Sequence, residues 1–377
     1  LITMFFLITY AMLNVVVLVE KRLALVSFRP ALDVPLIVPL VGTIGCIGAM
    51  FIVNPLFSAV AVVLVLAFYL FLTRRHLSSS ESDVRSGLFV ALSEWSAKRV
   101  FRLPTADDRA WKPNLVVPVR DVTQLRGIFR LIRSITYPKE SVKILGFSTE
   151  EPDARTSSRI ERITNAFWEE EIFASWATVR DNDLSRAFVT SMETLQTAFF
   201  KPNVALLNYR SEGVDQLSTI IAAAPDQGLG VALLAPHPQA RLARRSSINL
   251  WFDPEEIERG AIESEAGRMD LAILMAIKLR TNWEGHIRLL TAAPDEESKV
   301  ESARYLETVA EKARLGPTET YVVTGDLESS LGKAPQADLS IFGLFADSDL
   351  AIVPRYVEAT RSSCLFCQDA GFENALA

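Results

Sequence analysis

The chain begins with two long apolar segments that carry no charged residue, over residues 1–19 and 34–73. A helix of about 20 residues crosses roughly 30 Å of hydrocarbon, so the second segment is long enough for two crossings. Proline cannot continue a helical hydrogen-bond ladder and disfavours a helical residue before it, so Asn54-Pro55 marks a turn. The pattern predicts three transmembrane helices, over about residues 1–19, 34–53 and 56–73.

One face of the second predicted helix consists of small residues. This strip comprises Gly42, Gly45, Gly48 and Ala49. Small residues allow a neighbouring helix to approach closely, so the strip predicts either a contact between two copies of the protein or packing within one bundle. None of the predicted spans contains a charged residue, and no ion pathway marked by intramembrane charge is visible in them.

An amphipathic helix is predicted after the last span. A serine-rich and acidic start at residues 78–83 suits a helix N-terminus, and apolar residues follow at helical spacing. These apolar residues are Val84, Leu88, Leu92 and Trp95. We therefore expect residues 76–113 to form a connector helix and linker, which acts either as a solvated tether or as a mechanical connection.

From residue 114 onward, short apolar runs rich in β-formers alternate with helical stretches, among them Leu184–Phe200 and Val214–Ala223. Five strands are predicted over Asn114–Val119, Val142–Phe147, Ile172–Val179, Val204–Asn208 and Val231–Leu234. A second set of five is predicted over Ile248–Phe252, His286–Thr291, Glu319–Val323, Leu339–Leu344 and Cys364–Gln368. Apolar strands joined by helices indicate parallel sheets. The fold class is therefore a membrane α-helical segment (residues 1–75) followed by two tandem, doubly wound α/β lobes, over residues 114–240 and 241–377.

Composition and charge support a two-part chain. Of the 377 residues, 49% are hydrophobic and 22% charged, which is too apolar for a disordered protein. Residues 1–80 hold five basic and two acidic residues, so the overall charge of −6 leaves −9 for the remainder and argues against a nucleic-acid partner. Basic residues flank the predicted spans, and by the positive-inside rule residues 76–377 are cytoplasmic. Three cysteines suit a reducing compartment.

The start of the chain at Leu1, within apolar sequence and without a basic segment before it, does not resemble a signal peptide. We expect the chain to be part of a longer membrane protein.

The candidate chemistry of the lobes is sparse. A nucleotide-binding sheet calls for a glycine-rich turn after a strand, whereas Arg120-Asp121 follows the first strand and Asp253-Pro254 its counterpart. Cys364 and Cys367 have the spacing of a redox or zinc pair but lie within an apolar run, which favours a core position. The sequence predicts no catalytic residue, no metal site and no cofactor, and so no enzyme.

The order of several short motifs resembles the C-terminal part of the cation-chloride cotransporters, members of the amino acid–polyamine–organocation superfamily. The motifs are Ser27-Phe28-Arg29-Pro30, Trp111-Lys112-Pro113-Asn114, Ile248-Asn249-Leu250-Trp251, His286-Ile287-Arg288 and Ala337-Asp338-Leu339-Ser340-Ile341. In that family the last three transmembrane helices precede a cytoplasmic regulatory domain of two lobes related to universal stress proteins.

The resemblance implies electroneutral symport of chloride with K⁺, Na⁺ or both. It places the ion-binding helices before this chain, so no ion-site residue is transferred here. It also implies a homodimer formed through the last spans and the cytoplasmic lobes, in contact with the lipid bilayer. Two alternatives remain open: a membrane-anchored sensor whose stress-protein-like lobes bind a nucleotide, and an amino-acid permease with the same cytoplasmic domain.

Overall fold

The computed structural model describes most of the chain. The described residues are 2–23, 34–74, 92–99, 111–138, 140–149, 154–198, 200–210, 213–240, 242, 245–258, 269–345 and 348–376. The chain divides into two compact units, residues 1–105 and 106–377.

The first unit contains helices α1 (Ile2–Leu23), α2 (Ile37–Val53), α3 (Pro55–Arg74) and α4 (residues 92–99). The chain breaks at Asn54, whose backbone is extended with φ −163° and whose side-chain oxygen accepts a hydrogen bond from the Phe57 N–H at 3.1 Å. The hydroxyl of Ser58 donates to the Met50 carbonyl at 2.6 Å, which ties the start of α3 to the end of α2. The turn predicted at Asn54-Pro55 is confirmed.

Among the residues described, no helix combines the length and the hydropathy of a membrane-spanning segment. The three membrane crossings therefore stay a prediction.

The second unit alternates strands and helices in the order that the sequence predicts. Its first half comprises β1 (Leu115–Val119), α5 (Val122–Thr136), β2 (Ser141–Ser148), α6 (Ala154–Glu169), β3 (Phe173–Arg180), α7 (Leu184–Leu195), β4 (Val204–Asn208), α8 (Val214–Ala223) and β5 (Gly230–Ala235). Its second half comprises β6 (Ser247–Trp251), α9 (Pro254–Glu258), α10 (Asp270–Trp283), β7 (His286–Ala293), α11 (Glu296–Lys312), β8 (Glu319–Thr324), α12 (Leu327–Leu331), β9 (Leu339–Gly343), α13 (Ile352–Thr360) and β10 (Ser363–Gln368).

The ten strands form one continuous sheet in the order β3-β2-β1-β4-β5-β10-β9-β6-β7-β8. All neighbours within each half are parallel, which confirms two five-stranded parallel lobes. The lobes are not separate sheets, however, because β5 and β10 pair antiparallel with Leu234 opposite Leu365. We call residues 114–240 lobe 1 and residues 241–377 lobe 2.

Helices cover both faces of this sheet, so the central strands are buried on both sides. Leu115 and Leu250 belong to the apolar cluster on one face, and Val116 and Trp251 to the cluster on the other. The edge strands are more exposed, and at β3 the indole N–H of Trp168 donates to the Ala174 carbonyl at 2.9 Å. This contact covers part of an edge that would otherwise be free to pair with another strand.

The two lobes also touch through α5 and α10. Lys278 on α10 forms an ion pair with Glu140 at 2.6 Å, and the Asn282 side-chain amide donates to the Ser134 carbonyl at 2.7 Å. The Glu140 side chain is only 7% exposed. The shared sheet and this contact make residues 106–377 one compact unit.

One local prediction differs from the structure, and one short helix was not predicted. The helix predicted to reach Phe200 ends at Leu195, where the Gln196 N–H is shared between two carbonyls of a tightened last turn. A short helix, α9, begins at Pro254, which suits the first position of a helix because it lacks an N–H.

Candidate functional site

In open α/β sheets, ligands bind beyond the carboxyl ends of the strands, at the point where the strand order reverses. In lobe 1 this switch point lies between β1 and β4, and in lobe 2 between β6 and β9. The register relates the two points, because Leu115 pairs with Val204 in lobe 1 as Ile248 pairs with Leu339 in lobe 2.

A cavity of about 370 Å³ lies at the switch point of lobe 1. Its polar side chains come from four elements: Arg120 follows β1, Gln124 lies on α5, Asn208 and Arg210 lie at and after the end of β4, and Gln216 lies on α8. Its apolar wall comprises Leu184, Leu207, Leu217 and Ile220. The volume and the mixed lining are typical of a small-molecule site.

Both arginines are held by neutral amides. The Arg120 Nη2 donates to the Gln216 Oε1 at 2.8 Å. In the amide orientation that satisfies both groups, the Gln124 side-chain oxygen accepts from the two terminal nitrogens of Arg210, at 2.6 and 2.8 Å. Neither arginine forms an ion pair with a carboxylate in the described part of the chain, so both positive charges face the cavity without direct neutralisation.

Two carboxylates lie near these guanidinium groups. Asp121 begins α5 and accepts hydrogen bonds from the Thr123 hydroxyl and the Thr123 N–H. These bonds, with smaller contributions from the charges of Arg210 and Arg159, hold the pKa of Asp121 below its usual range. Asp215 also lines the cavity. The cavity lining therefore has two arginines against one aspartate, and the nearby Asp121 carboxylate offsets part of the remaining positive charge.

A second cavity, of about 390 Å³, adjoins the first and shares Arg120, Leu184 and Gln216 with it. Its acidic member, Asp181, is paired with Arg186 at 2.5 Å. The Arg120–Gln216 hydrogen bond thus stands between two cavities.

The switch point of lobe 2 is filled by aromatic side chains. Trp251 and Phe342 are stacked with ring centroids 6.1 Å apart, and Tyr356 lies 5.0 Å from Phe342. The remaining cavity measures about 110 Å³. The indole N–H of Trp251 is buried and has no hydrogen-bond acceptor among the described residues. Burial raises the pKa of Tyr356, with a further contribution from the charge of Asp253.

Three carboxylates converge where the C-terminal segment meets α10. Asp369 accepts hydrogen bonds from the N–H groups of Asp270 at 3.0 Å and Leu271 at 2.8 Å, so it caps the helix from a distant part of the chain. Asp270 in turn accepts from the Ala375 N–H at 2.8 Å, and Glu373 accepts from the Ala370 N–H at 2.9 Å. Burial raises the pKa of Asp369 to about 8 and also raises the pKa values of Asp270 and Glu373.

The predicted glycine strip does not form one uniform surface. A Cβ atom added at Gly42 would lie 2.7 Å from the Asn14 Oδ1 of α1, whereas one added at Gly45 or Gly48 would meet nothing within 4 Å. Gly42 therefore permits packing inside the first unit. Gly45 and Gly48, with partly buried Ala49 beside them, remain the candidates for a contact with another copy.

Of the four predicted connector residues, Leu92 and Trp95 lie on α4 with exposed fractions of 55% and 59%. Val84 and Leu88 lie outside the described residues. Within the described residues, the predicted connector is helical over residues 92–99.

The burial of the two cysteines on β10 decides between a core position and a redox or zinc pair. Cys364 and Cys367 lie on β10, both 0% exposed, and the core position predicted for them is confirmed. Burial raises the pKa of the Cys364 thiol to about 12, which removes the thiolate needed for reactivity. No cluster of three or more metal-ligating side chains occurs within the described ranges.

The residues around the lobe 1 cavity were missed by sequence reasoning that looked for a glycine-rich loop. The available signal was polar sequence immediately after two neighbouring strands, namely Arg120-Asp121 after β1 and Asn208-Tyr209-Arg210 at the end of β4. Their convergence depends on the pairing of β1 with β4, which the sequence does not state.

Comparisons with known proteins agree with this architecture. Residues 117–242 match the family model for the first C-terminal domain of prokaryotic cation-chloride cotransporters, and residues 243–376 match the model for the second. The crystal structure of the cytoplasmic domain of a prokaryotic cation chloride cotransporter is 34% identical, with a TM-score of 0.62. The match covers 71% of this chain and 99% of the chain in that crystal structure.

Universal stress proteins are more distant. A putative universal stress protein from Pseudomonas aeruginosa UCBPP-PA14 is 13% identical, covering 70% of this chain and 96% of its own, with a TM-score of 0.47. A universal stress protein from Archaeoglobus fulgidus DSM 4304 is 10% identical, with a TM-score of 0.43. The match covers 68% of this chain and 97% of that protein. No curated protein matches the chain.

The two consecutive family matches divide the chain near the joint between lobe 1 and lobe 2, and the 34% identical structure spans both lobes. The chain belongs to the prokaryotic cation-chloride cotransporter family, and residues 117–376 are its C-terminal domain.

Proposed function

We propose that this chain is the C-terminal part of a secondary active transporter that carries chloride together with K⁺, Na⁺ or both in an electroneutral symport. The observation that carries the proposal is the pair of consecutive family matches over residues 117–376. The ion-binding helices belong to the preceding part of the transporter, and we assign no ion-site residue in this chain.

In this proposal α1, α2 and α3 are membrane spans, and residues 76–377 lie in the cytoplasm. Support comes from the uncharged sequence of residues 34–73 and from the basic residues that flank it. A related domain of 34% identity is described as cytoplasmic, which agrees with this orientation.

This part of the transporter, the last spans together with the cytoplasmic lobes, is proposed to serve dimerisation and regulation rather than catalysis. The open positions at Gly45 and Gly48 would allow a second copy to approach α2 closely. Exchange of Gly45 for Ile would then weaken the dimer, measured by light scattering in detergent. A Gly42→Ile variant, whose side chain would clash with Asn14, would instead disturb folding.

The transport proposal is tested on the complete transporter reconstituted in proteoliposomes. Uptake of radioactive rubidium or sodium should require chloride on the same side and should stop when gluconate replaces chloride. It should not change with an imposed membrane potential, because the symport is electroneutral. Cation uptake that does not depend on chloride would contradict the proposal. Uptake of amino acids that does not depend on chloride would favour the permease alternative.

A further inference from the structure

A second group of arginines converges in the groove between helices α5 and α6 of lobe 1. A cavity of about 170 Å³ lies there, lined by Val122, Thr123, Arg126, Arg159, Arg162 and Ile163. It shares no lining residue with the cavity at the switch point. Helices α5 and α6 cover the face of the sheet whose apolar cluster includes Leu125 and Ile160, whereas Leu207 and Ile220 of the switch-point cavity belong to the cluster on the opposite face. The α5–α6 groove is therefore a separate feature.

Helical spacing places the three guanidinium groups around this groove. Arg159 and Arg162 are three positions apart on α6 and so lie on neighbouring turns of one face, and Arg126 lines the groove from α5. All three residues are exposed, so an anion can reach them from solvent. An arginine keeps its positive charge in a protein, so the groove is cationic at every physiological pH.

The three arginines have no anionic partner within the described ranges. No hydrogen bond or ion pair joins Arg126, Arg159 or Arg162 to another described residue, and no carboxylate lines the cavity. The charge of Arg159 acts on Asp121, but the Asp121 carboxylate accepts its hydrogen bonds from Thr123. Like charges gathered in this way repel one another, and a bound anion would remove that repulsion.

The corresponding helices of lobe 2 do not share this charge. By their order among the strands, α10 and α11 correspond to α5 and α6. Helices α5 and α6 carry six arginines and two glutamates, whereas α10 and α11 carry five basic and six acidic residues. The basic groove is thus a property of lobe 1 and is not required by the fold that both lobes share.

We propose that the α5–α6 groove binds a dianionic phosphate group, held by Arg126 from one helix and by Arg159 and Arg162 from the other. Planar, forked guanidinium groups match phosphate oxygens in pairs, which favours phosphate over a spherical halide. A volume of about 170 Å³ is well below the roughly 300 Å³ at which sites for drug-sized ligands begin, so the groove suits one small group.

The same phosphate group occurs in free inorganic phosphate and in the headgroup of phosphatidic acid. Binding of either one is measured without transport, so the proposal does not depend on which ions the protein carries.

The test is titration calorimetry of the full chain in detergent micelles, with inorganic phosphate as the probe and gluconate as the background anion. Phosphate should bind with a Kd below about 1 mM. Replacing gluconate by about 0.1 M chloride should raise the Kd by less than about threefold, because chloride screens the charge but does not match the guanidinium forks.

Two short-chain lipids distinguish the sources of the phosphate group. Dihexanoyl phosphatidic acid carries the dianion, and dihexanoyl phosphatidylcholine is the matched lipid without it and should not bind. An affinity for phosphatidic acid at least about tenfold above that for inorganic phosphate would identify the lipid headgroup as the ligand, and equal affinities would identify free phosphate.

Four variants locate the site. Arg126→Gln and Arg162→Gln should each weaken phosphate binding at least about fivefold, and the double variant should abolish it. Arg126→Lys keeps the charge but loses the fork, so its affinity should lie between those of Arg126→Gln and the unmodified chain. The control is Arg130→Gln, which removes an exposed arginine one turn further along α5 that does not line the groove and should leave binding unchanged.

Three results would overturn the proposal: no heat of binding with phosphate up to about 10 mM, unchanged binding in the double variant, or an equal loss in Arg130→Gln. The last result would mean that the general charge of lobe 1 attracts phosphate without a defined site. Because the substituted arginines are exposed and have no partner among the described residues, the variants should fold, which circular dichroism checks.

Discussion

Lobe 1 and lobe 2 share strand order, register and helix placement, but they use the same topological position in opposite ways. At the switch point, Pro118 and Leu207 leave space in lobe 1, whereas Trp251 and Phe342 fill it in lobe 2. Where the same register is extended beyond the first strand of each lobe, the charge is also reversed, with Arg120 in lobe 1 and Asp253 in lobe 2. The two lobes thus differ in side-chain size at two positions of the switch point and in charge at a third.

The comparison also shows where each lobe places its acidic groups. In lobe 1 the described carboxylates near the switch point, Asp121 and Asp215, are exposed. In lobe 2 the C-terminal segment brings Asp369 and Glu373 against the start of α10, where burial raises their pKa values. Lobe 2 therefore has a filled switch point and a buried acidic contact, and its stability should respond to packing and pH more strongly than that of lobe 1.

The largest expected effect comes from emptying the filled switch point. Trp251 is 1% exposed, so Trp251→Ala should lower the free energy of unfolding by about 4 kcal/mol, because it creates a cavity beside Phe342. Urea unfolding followed by circular dichroism measures this change. Trp251→Phe should cost less, because the ring remains and the buried N–H without an acceptor is removed.

The matched control is Trp95→Ala, since Trp95 is 59% exposed and should contribute less than about 1 kcal/mol. Equal losses at Trp95 and Trp251 would mean that the aromatic filling does not stabilise lobe 2.

The next effect is a pH dependence that originates in lobe 2. A carboxyl group whose pKa is higher in the folded state than in the unfolded state stabilises the fold below its unfolded pKa, and this contribution is lost as the pH rises through the folded value. With the folded pKa of Asp369 at about 8 and an unfolded pKa of about 4, the unfolding free energy should fall by roughly 3.5 kcal/mol between pH 5 and pH 8.

Asp369→Asn should remove most of this slope, because the amide oxygen still accepts from the Leu271 N–H without titrating. The smaller slope that remains would come from Asp270 and Glu373, whose pKa values are also raised. Urea unfolding at pH 5 and at pH 8 measures the change in unfolding free energy for each variant. The control is Glu297→Gln, because Glu297 is exposed. A slope of the opposite sign in the unmodified chain would contradict the assignment.

A smaller effect tests whether the contrasting lobes unfold together. Lys278 of lobe 2 pairs with Glu140 of lobe 1, whose side chain is 7% exposed. Lys278→Met should cost about 3 kcal/mol, because it removes the cation from a buried carboxylate. Lys299→Met, which breaks an exposed pair with Glu296 inside α11, should cost less than about 0.5 kcal/mol.

Both lobes should lose stability together in the Lys278→Met variant, so hydrogen exchange in β2 and β7 should rise in parallel. An increase confined to β7 would show that the shared sheet does not couple them.

The sequence predicted the fold of both lobes closely. Strands such as Val204–Asn208 and helices such as Val214–Ala223 have the observed bounds, because buried parallel strands are continuous apolar runs and the helices between them are amphipathic. The antiparallel pairing of β5 with β10 was not predicted, because pairing between distant edge strands leaves no local pattern.

The candidate site was predicted less well. The glycine strip was recognised from its spacing, but the contact of Gly42 with Asn14 depends on how α1 and α2 pack. Arg120 and Arg210 are 90 positions apart, and their common cavity follows from strand order rather than from a motif. The search for a glycine-rich loop tested one kind of phosphate site and gave no information about these two arginine side chains.

The smallest expected effect on stability concerns the same two arginines. Arg120 and Arg210 are exposed and bonded to neutral amides, so Arg120→Gln and Arg210→Gln should each change the unfolding free energy by less than about 0.5 kcal/mol. Arg133→Gln is the comparison, because Arg133 pairs with Glu170 at 2.9 Å and lies over the Tyr137 ring, and it should cost more. Thermal unfolding by circular dichroism measures all three. A loss above about 1.5 kcal/mol at Arg120 or Arg210 would make these residues structural supports of lobe 1. Small losses at both arginines would show that neither guanidinium supports the fold at the open switch point, whereas the aromatic rings at the same point of lobe 2 are part of its core.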